Sequence, residues 1–467
     1  MNTDQPPVLP TPASRRLFLF LKITSICVLI ALLHVPLSLT RNVLNERQGY
    51  QAAAIDEIAG IWGRRQLVTG PVLVVPYAYK TQVVKSKVVN GRAVQVEETE
   101  LATTLAYFLP DALAITGTID PEVRHRGIYE AVVYATRLKL SGSFQPDFAA
   151  AGIEADRIDW EKARVEFGVS DLHGVRSVGP IQIGAGKSPA FESAENSAGT
   201  LPLEAKVVGV VAGRKMDFTM EVALQGSERL EIAPVGKVTT VALDSPWADP
   251  SFTGKYLPVK RVVDAGAFKA EWETSHFSRG FPAYWTDRLV KSAEIFQKIE
   301  DAGFGVRFAQ PTGGYGMAER AQKYGVLFFV LVFAVFFLFE ITAAIRIHPL
   351  QYAIVGAALC LFFLGFLALT EFWATGPAYA VASGACTLLI SAYAWSFLKT
   401  GLRTLVIAGG LSATYGYLYF VLKSQDYGLV AGTLALFAAL ALVMFCTRKI
   451  NWYELDSTSL AGTSGNR

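Results

Sequence analysis

The sequence predicts a membrane protein built from an N-terminal anchor helix, a large β-rich soluble domain and a C-terminal bundle of about five transmembrane helices. Three observations predict this fold class. Hydrophobic residues make up 52% of the chain and charged residues only 18%, against roughly 25% charged in an ordinary soluble domain. The apolar excess lies in one block near the N-terminus and in a long run over 324–446. Between them, strand-like segments recur over 41–323 with little helix, which favours an antiparallel β sandwich or layered sheet.

The first apolar block is the predicted anchor, residues 17–40, which follows a tail of residues 1–16. Its apolar run comes after Arg15 and Arg16 and contains one Lys or Arg, Lys22. A cleaved signal peptide is the alternative, but its apolar core would be about 7–15 residues long and would end at a small-x-small site. This run is longer and ends in Ser-Leu-Thr-Arg at 38–41. We therefore predict an uncleaved anchor.

The long C-terminal run divides at charged residues and helix breakers into five segments long enough to cross a bilayer. The predicted spans are 324–345, 352–371, 377–398, 403–422 and 428–446. A tail of residues 447–467 follows them. With the anchor there are six spans, so both tails lie on the same side of the membrane.

Lysine and arginine in the short connections predict which side that is, because they concentrate on the cytoplasmic face. One side carries eight of them: Arg15, Arg16, Lys22, Arg346, Lys399, Arg403, Arg448 and Lys449. The other side carries only Lys423. This bias predicts cytoplasmic tails and a domain at 41–323 on the other side of the membrane, outside the cytoplasm.

The predicted domain begins with a helix over 42–65 and continues mainly as strands. Strands are predicted at 72–75, 101–109, 128–144, 163–169, 206–211, 215–224, 230–232 and 238–243. Asn90-Gly91 predicts a hairpin turn, and a second, amphipathic helix is predicted at 286–299. All four cysteines lie in apolar stretches, so the domain carries no disulfide.

Two short motifs in the domain carry residue types that are used in catalysis or phosphate binding. The segment 184–188 (GAGKS) resembles the end of a phosphate-binding loop, but Ile181 stands where the first glycine is required. Ser170, Asp171 and His173 are neighbours in sequence, whereas catalytic triads are assembled in space from separate segments. We interpret both as turns and predict no catalytic residue, cofactor or metal site. The balanced charge, +3 overall, also argues against a nucleic-acid partner.

The candidate functional or topology-fixing motif consists of Glu340, Arg346, His348 and Pro349. Glu340 interrupts an apolar helix, and an ionisable residue inside a span is a functional hypothesis by default. Two interpretations stay open. Glu340 could pair with Arg346 across the turn at His348-Pro349 and fix a cytoplasmic connection, or it could take part in proton or ligand transfer.

Ten short strings, together with this layout, resemble a known family. They stand at 41–47 (RNVLNER), 70–76 (GPVLVVP), 127–129 (GIY), 250–254 (PSFTG), 257–261 (LPVKR), 319–324 (ERAQKY), 339–340 (FE), 346–352 (RIHPLQY), 355–356 (VG) and 447–453 (TRKINWY). The chain resembles the CreD family of bacterial inner-membrane proteins from about residue 17 to 453. The resemblance implies that the domain at 41–323 is periplasmic and that the protein has a role in cell envelope integrity and envelope-stress responses. It supplies no catalytic residue, cofactor or substrate.

Three classes of function follow. The predicted one is a non-enzymatic inner-membrane protein of envelope integrity, with membrane lipids and unidentified periplasmic or membrane proteins as partners. The runner-up is a transporter or lipid- or ligand-handling protein that acts through the five-helix bundle, because five helices exceed what anchoring requires. A periplasmic enzyme ranks third, and a polar pocket around His173 would favour it.

Overall fold

A computed structural model describes residues 12–89, 92–184, 189–194, 201–308, 314–342, 347–423 and 428–448. The chain divides into two compact units, a membrane unit of Met1–Tyr50 with Thr312–Arg467 and a β unit of Gln51–Pro311. The predicted domain limits at 41 and 323 concern where the chain leaves the membrane, and they stay a prediction.

The described part of the chain contains eight α-helices, and each predicted span overlaps one of them along most of its length. The helices are α1 (Pro12–Trp62), α2 (Ser292–Asp301), α3 (Gly314–Lys323), α4 (Gly325–Thr342), α5 (Pro349–Thr370), α6 (Thr375–Leu398), α7 (Gly401–Lys423) and α8 (Gly428–Thr447). Helix α1 covers both the predicted anchor and nearly all of the helix predicted at 42–65. By length and hydropathy, α1, α5, α6 and α7 each qualify as a membrane span.

Helix α4 forms most of the predicted span 324–345, but a short helix that the sequence reading missed precedes it. Helices α3 and α4 meet at Tyr324 with a bend of 57°, and the pair qualifies as a further span if it is taken as one. Helix α3 is amphipathic and buries Met317, Ala318 and Ala321. Its polar residues hid it from a search for long apolar runs.

The β unit contains eighteen described strands in two sheets. In chain order they are β1 (Gln66–Val89), β2 (Arg92–Phe108), β3 (Ala112–Arg126), β4 (Tyr129–Phe144), β5 (Arg157–Ile158), β6 (Arg164–Val169), β7 (Val175–Val178), β8 (Gln182–Ile183), β9 (Glu192–Ser193), β10 (Leu203–Lys206), β11 (Met216–Ser227), β12 (Arg229–Ile232), β13 (Val238–Ser245), β14 (Pro250–Gly254), β15 (Lys260–Val263), β16 (Phe268–Ser275), β17 (Tyr284–Thr286) and β18 (Phe304–Phe308). One sheet has ten strands, with the main path β14-β18-β12-β1-β6-β10-β9, and the other has eight, with the main path β15-β16-β13-β3-β4-β11-β7.

The two sheets share one hydrophobic core, as a layered β domain requires. Aromatic pairs join them: the Phe252 and Trp272 ring centroids lie 5.6 Å apart, and those of Tyr134 and Phe308 lie 5.3 Å apart. Strand β11 alternates buried and less buried positions along most of its length. That alternation is what its period-two sequence predicts for a strand with one covered face.

Several details correct the sequence reading. The sheets are mainly antiparallel, but β1 pairs with β12 and β13 with β3 in parallel. The strand predicted at 206–211 ends at Lys206 as β10, and Gly209 beyond it has a φ of +87° that an extended strand does not use. Helix α2 begins at Ser292, and Thr286, where the predicted helix starts, belongs to β17 and pairs with β2. Asn90 and Gly91 lie outside the described residues, and Val89 pairs with Arg92 across them as a two-residue hairpin requires.

Candidate functional site

Glu340 lies near the C-terminal end of α4 and is the one charged residue of that helix. It is buried, with 8% of its surface exposed. The helices around it expose apolar faces, so its carboxylate is shielded both from water and from the surrounding hydrocarbon. A charged group in such a place requires partners within the protein.

The described partner that balances the charge of Glu340 is Lys22 of α1. The Lys22 Nζ donates to Glu340 Oε1 at 3.1 Å, and both side chains are at least nine-tenths buried. The Tyr352 hydroxyl donates to Oε2 at 2.9 Å, and the backbone N–H of Ile347 donates to Oε1 at 3.2 Å. Each carboxylate oxygen of Glu340 therefore accepts at least one hydrogen bond. We call Lys22, Glu340, Ile347 and Tyr352 the inner polar cluster.

Lys22 has two further contacts in the inner polar cluster. Its ammonium also donates to the backbone carbonyl of Ile347. It lies 5.0 Å from the ring centroid of Tyr352, where the negative face of an aromatic ring attracts a cation. Because both charges are bonded on several sides, the cluster holds α1, α4 and α5 together.

Two other residues of the predicted motif, His348 and Pro349, lie at the start of α5. His348 caps α5: its Nδ1 accepts from the N–H of Leu350 at 3.2 Å, and its own N–H donates to the side chain of Gln351 at 2.8 Å. Pro349 occupies the first position of α5, where a missing N–H is tolerated. Arg346 lies outside the described residues, so its pairing with Glu340 stays a prediction.

A second polar contact joins α1 to the C-terminal end of α5. The Arg47 side chain lies 3.4 Å from Glu371 Oε1, and the Tyr315 hydroxyl donates to the same oxygen at 3.3 Å. Lys22 and Arg47 are 25 residues apart on α1, which corresponds to about 37 Å along a helix. That length lies between the hydrocarbon thickness of about 30 Å and the full bilayer thickness of about 40–45 Å.

Between these two ends, α1 packs closely on the bundle. Leu33 lies over Gly356, where a Cβ would collide with its side chain, and the Cys360 Sγ is 4.0 Å from the carbonyl of Leu33. Leu37 packs in the same way over Gly325. The anchor is therefore a packed member of the membrane unit.

The polar motif of the β unit fixes a turn. Asp171 accepts hydrogen bonds from the backbone N–H groups of His173 at 3.0 Å and Arg64 at 2.7 Å. The Ser170 hydroxyl donates to the carbonyl of Arg65 at 2.7 Å and accepts from the N–H of Leu67 at 2.9 Å. These bonds agree with the turn interpretation. Of the phosphate-loop-like segment, 185–188 lies outside the described residues.

A cavity of about 220 Å³ lies beside this turn, lined among others by Thr69, Ser170, Gln297 and Glu300. Burial raises the pKa of Glu300, with the neighbouring charge of Asp301 adding to the effect. His173 is not among its lining residues. Over the described ranges, no group of three or more His, Cys, Asp and Glu side chains is placed to hold a metal ion.

The β unit also buries two charged side chains whose roles are structural. Glu166 is 1% exposed and lies 2.9 Å from the Arg164 guanidinium, and burial raises its pKa. Arg279 is 2% exposed and donates to the carbonyls of Val235 and Gly236 at 2.6 and 2.9 Å. Burial lowers the pKa of Arg279 to about 10.

Sequence reasoning missed Lys22 as a member of the site, although a signal was present. A lysine within a predicted span needs an acidic partner, and Glu340 is the acidic residue that the predicted C-terminal spans place within an apolar helix. Glu371 lies at the far end of its span. In the sequence analysis above, Lys22 is used only as an orientation signal near the start of the anchor.

Comparison with known proteins supports the resemblance stated from the sequence. A family model described as "Inner membrane protein CreD" matches residues 18–453. Inner membrane protein CreD of Escherichia coli (strain K12) is 29% identical over 450 residues, which cover 94% of each chain. A match to the solved structure of yeast LTA4 hydrolase in complex with bestatin covers 73% of this chain and 67% of that one, at 8% identity and a TM-score of 0.18, which is too low to indicate a shared fold. The chain therefore belongs to the CreD family of inner-membrane proteins.

Proposed function

We propose that this inner-membrane protein supports the integrity of the cell envelope and its response to envelope stress without catalysing a reaction. The observation that carries the proposal is the family match over 18–453, because it covers both the membrane unit and the β unit. The role that the resemblance implies would then belong to the whole chain. Membrane lipids and proteins of the membrane or periplasm are the partners that this role requires.

The proposed topology has cytoplasmic tails at 1–16 and 447–467 and a periplasmic domain at 41–323. The eight-to-one bias of short-connection Lys and Arg supports it. The inner polar cluster agrees with this bias, since Lys22 at the start of the anchor meets the connection between α4 and α5. In cells with a permeabilised outer membrane, a cysteine replacing exposed Gln82 should react with an impermeant thiol reagent, and one replacing exposed Thr400 should not. Labelling of a cysteine at position 400 while the inner membrane is intact would contradict the proposed topology.

The inner polar cluster supports a structural role for Glu340. A residue that carries protons or ligands through a membrane has to be accessible from a pathway. Glu340 is buried, and both of its carboxylate oxygens accept hydrogen bonds from neighbouring helices. The cavity between α4, α7 and α8 holds only about 20 Å³, which is room for about one water molecule. These observations favour integrity over transport.

A deletion-and-rescue experiment tests the proposal. Cells that lack the protein should lose tolerance to envelope stress, such as detergents, cell-wall antibiotics or protein toxins that cross the envelope. The full chain should restore tolerance, and so should a control that ends at Tyr453 and keeps every helix of the described residues. A chain that ends at Tyr315, which keeps the anchor and the β unit, should not. An unchanged phenotype under all these stresses would refute the proposed role.

The variant Glu340→Gln separates the structural role from transport. If Glu340 holds helices together, this variant should lower the amount of protein in the membrane, and its cellular effect should fall in proportion. A variant that stays abundant and folded but loses all cellular effect would contradict the structural role and favour proton or ligand transfer.

A further inference from the structure

His34 places an imidazole at mid-depth on the outer surface of the membrane unit. It lies on α1, 12 residues from Lys22 and 13 from Arg47, or about 18–20 Å along the helix from each. The residue is exposed, and across the described ranges its ring has no hydrogen-bond partner. A polar ring that faces hydrocarbon at this depth is costly, and such residues normally face another protein surface.

His34 belongs to a stripe of small and polar residues along α1. At 100° per residue, its members fall within about 60° of one another around the helix. The members of this stripe are Cys27, Ala31, His34, Ser38 and Asn45, and all five are exposed.

The stripe is distinct from the two other faces of α1. The face that packs on the bundle, with Leu33 and Leu37, lies about 100° to one side. A large apolar face that includes Val28 and Leu32, 61% and 64% exposed, lies about 100° to the other side and suits lipid. Small residues four apart, such as Cys27 and Ala31, let two membrane helices approach closely. The stripe therefore has the chemistry of a helix-packing face, and no described part of the chain covers it.

We propose that the stripe binds α1 of a second copy of this chain, in parallel, across a two-fold axis. Every copy has the same orientation in the membrane, so two α1 helices can meet only in parallel. A two-fold contact brings the same residues face to face. A neutral imidazole carries one donor and one acceptor nitrogen, and a hydroxyl also does both, so His34 can bond to His34 or Ser38 of the other copy. The stripe is self-complementary, which is why a second copy is the proposed occupant.

Native Cys27 provides a probe that already lies on the stripe. In full-length protein in native membranes, with Cys360, Cys386 and Cys446 replaced by alanine, oxidation should join two copies through Cys27. The matched control carries Cys27→Ser with Val28→Cys, which moves the thiol by one residue onto the lipid-facing side. It should form little or no dimer. Equal crosslinking at 27 and 28 would indicate random collision and overturn the proposal, and so would crosslinking of Cys27 only to other proteins.

Substitutions on the stripe should change the crosslinked fraction at equal protein levels. His34→Leu removes the polar group and should lower the fraction roughly fivefold or more, while His34→Asn, which keeps a donor and an acceptor, should preserve most of it. Ala31→Leu suits lipid but blocks close approach, so it should lower the fraction even if His34→Leu fails to accumulate. A crosslinked fraction that neither His34→Leu nor Ala31→Leu lowers would refute the interface.

Discussion

Replacing Glu340 should lower the free energy of unfolding of the membrane unit. The loss should be larger in a chain that keeps Lys22 than in a chain from which Lys22 has also been removed. In Glu340→Gln the Lys22 ammonium keeps the Ile347 carbonyl and the Tyr352 ring but loses its counter-charge. Breaking one side of a buried pair costs about 3–5 kcal/mol, because the remaining charge is left uncompensated. We expect a loss in this range for Glu340→Gln and a smaller one for Lys22→Met, since Tyr352 and the Ile347 N–H still donate to Glu340.

Replacing both partners should recover much of the loss. A buried ion pair can often be replaced by uncharged residues at little cost, so the double variant should be less destabilised than the two single losses added together. We expect a coupling energy of about 2–3 kcal/mol from a double-mutant cycle. The free energy of unfolding can be measured by reversible unfolding in mixed micelles for the unchanged chain, the two single variants and the double variant.

The exposed pair of Glu319 and Lys323 is the matched control. It has the same residue types at 2.9 Å, but its side chains are 39% and 56% exposed. Exposed pairs contribute less than about 1 kcal/mol, so its coupling should be much smaller. If the Lys22 and Glu340 losses are simply additive, the two residues do not stabilise each other and the structural interpretation of the cluster is wrong.

Three further predictions concern packing, pH and redox state. Gly356→Leu should destabilise the membrane unit by at least about 1–3 kcal/mol, because a side chain there collides with Leu33; unfolding in the same micelles measures it, and an unchanged midpoint would contradict the close packing of α1. Burial raises the pKa of Glu166, so its contribution to the stability of residues 41–323 should be full below about pH 4.5 and should be lost as the pH rises through the raised value. Glu166→Gln should remove that part of the pH dependence of unfolding, and an unchanged slope would refute it. The unfolding midpoint of residues 41–323 should be the same with and without reductant, since that segment has no cysteine; a shift would contradict this.

The membrane helices could be predicted from the sequence because long apolar runs are set by local composition. The strand of 216–227 could be predicted for the same reason, since its period-two alternation is a local pattern. Helix α3 and the parallel pairing of β1 with β12 could not. A short amphipathic helix gives a weak signal beside a long apolar run, and strand neighbours far apart in sequence leave no local trace.

The partner of Glu340 shows the same limit at the level of a site. Local reasoning offered Arg346, six residues away, because turns bring near neighbours together. The described partner, Lys22, is 318 residues away. In the sequence, Lys22 and Glu340 are connected only by a general requirement, that a charge within a span needs a counter-charge. This requirement does not say which helices lie next to each other.

That requirement also suggests why the pair stands in an otherwise apolar region. Apolar contacts between membrane helices discriminate weakly, because lipid tails are as apolar as leucine. Leu33 over Gly356 is a good fit, but a neighbouring apolar surface or lipid could replace much of it. A lysine on α1 and a glutamate on α4 do discriminate, since any other arrangement of α1 leaves each charge without its counter-charge. The pair is thus better understood as a determinant of which helices associate than as a source of net stability, and the double variant should lose clearly less stability than the two single losses added together.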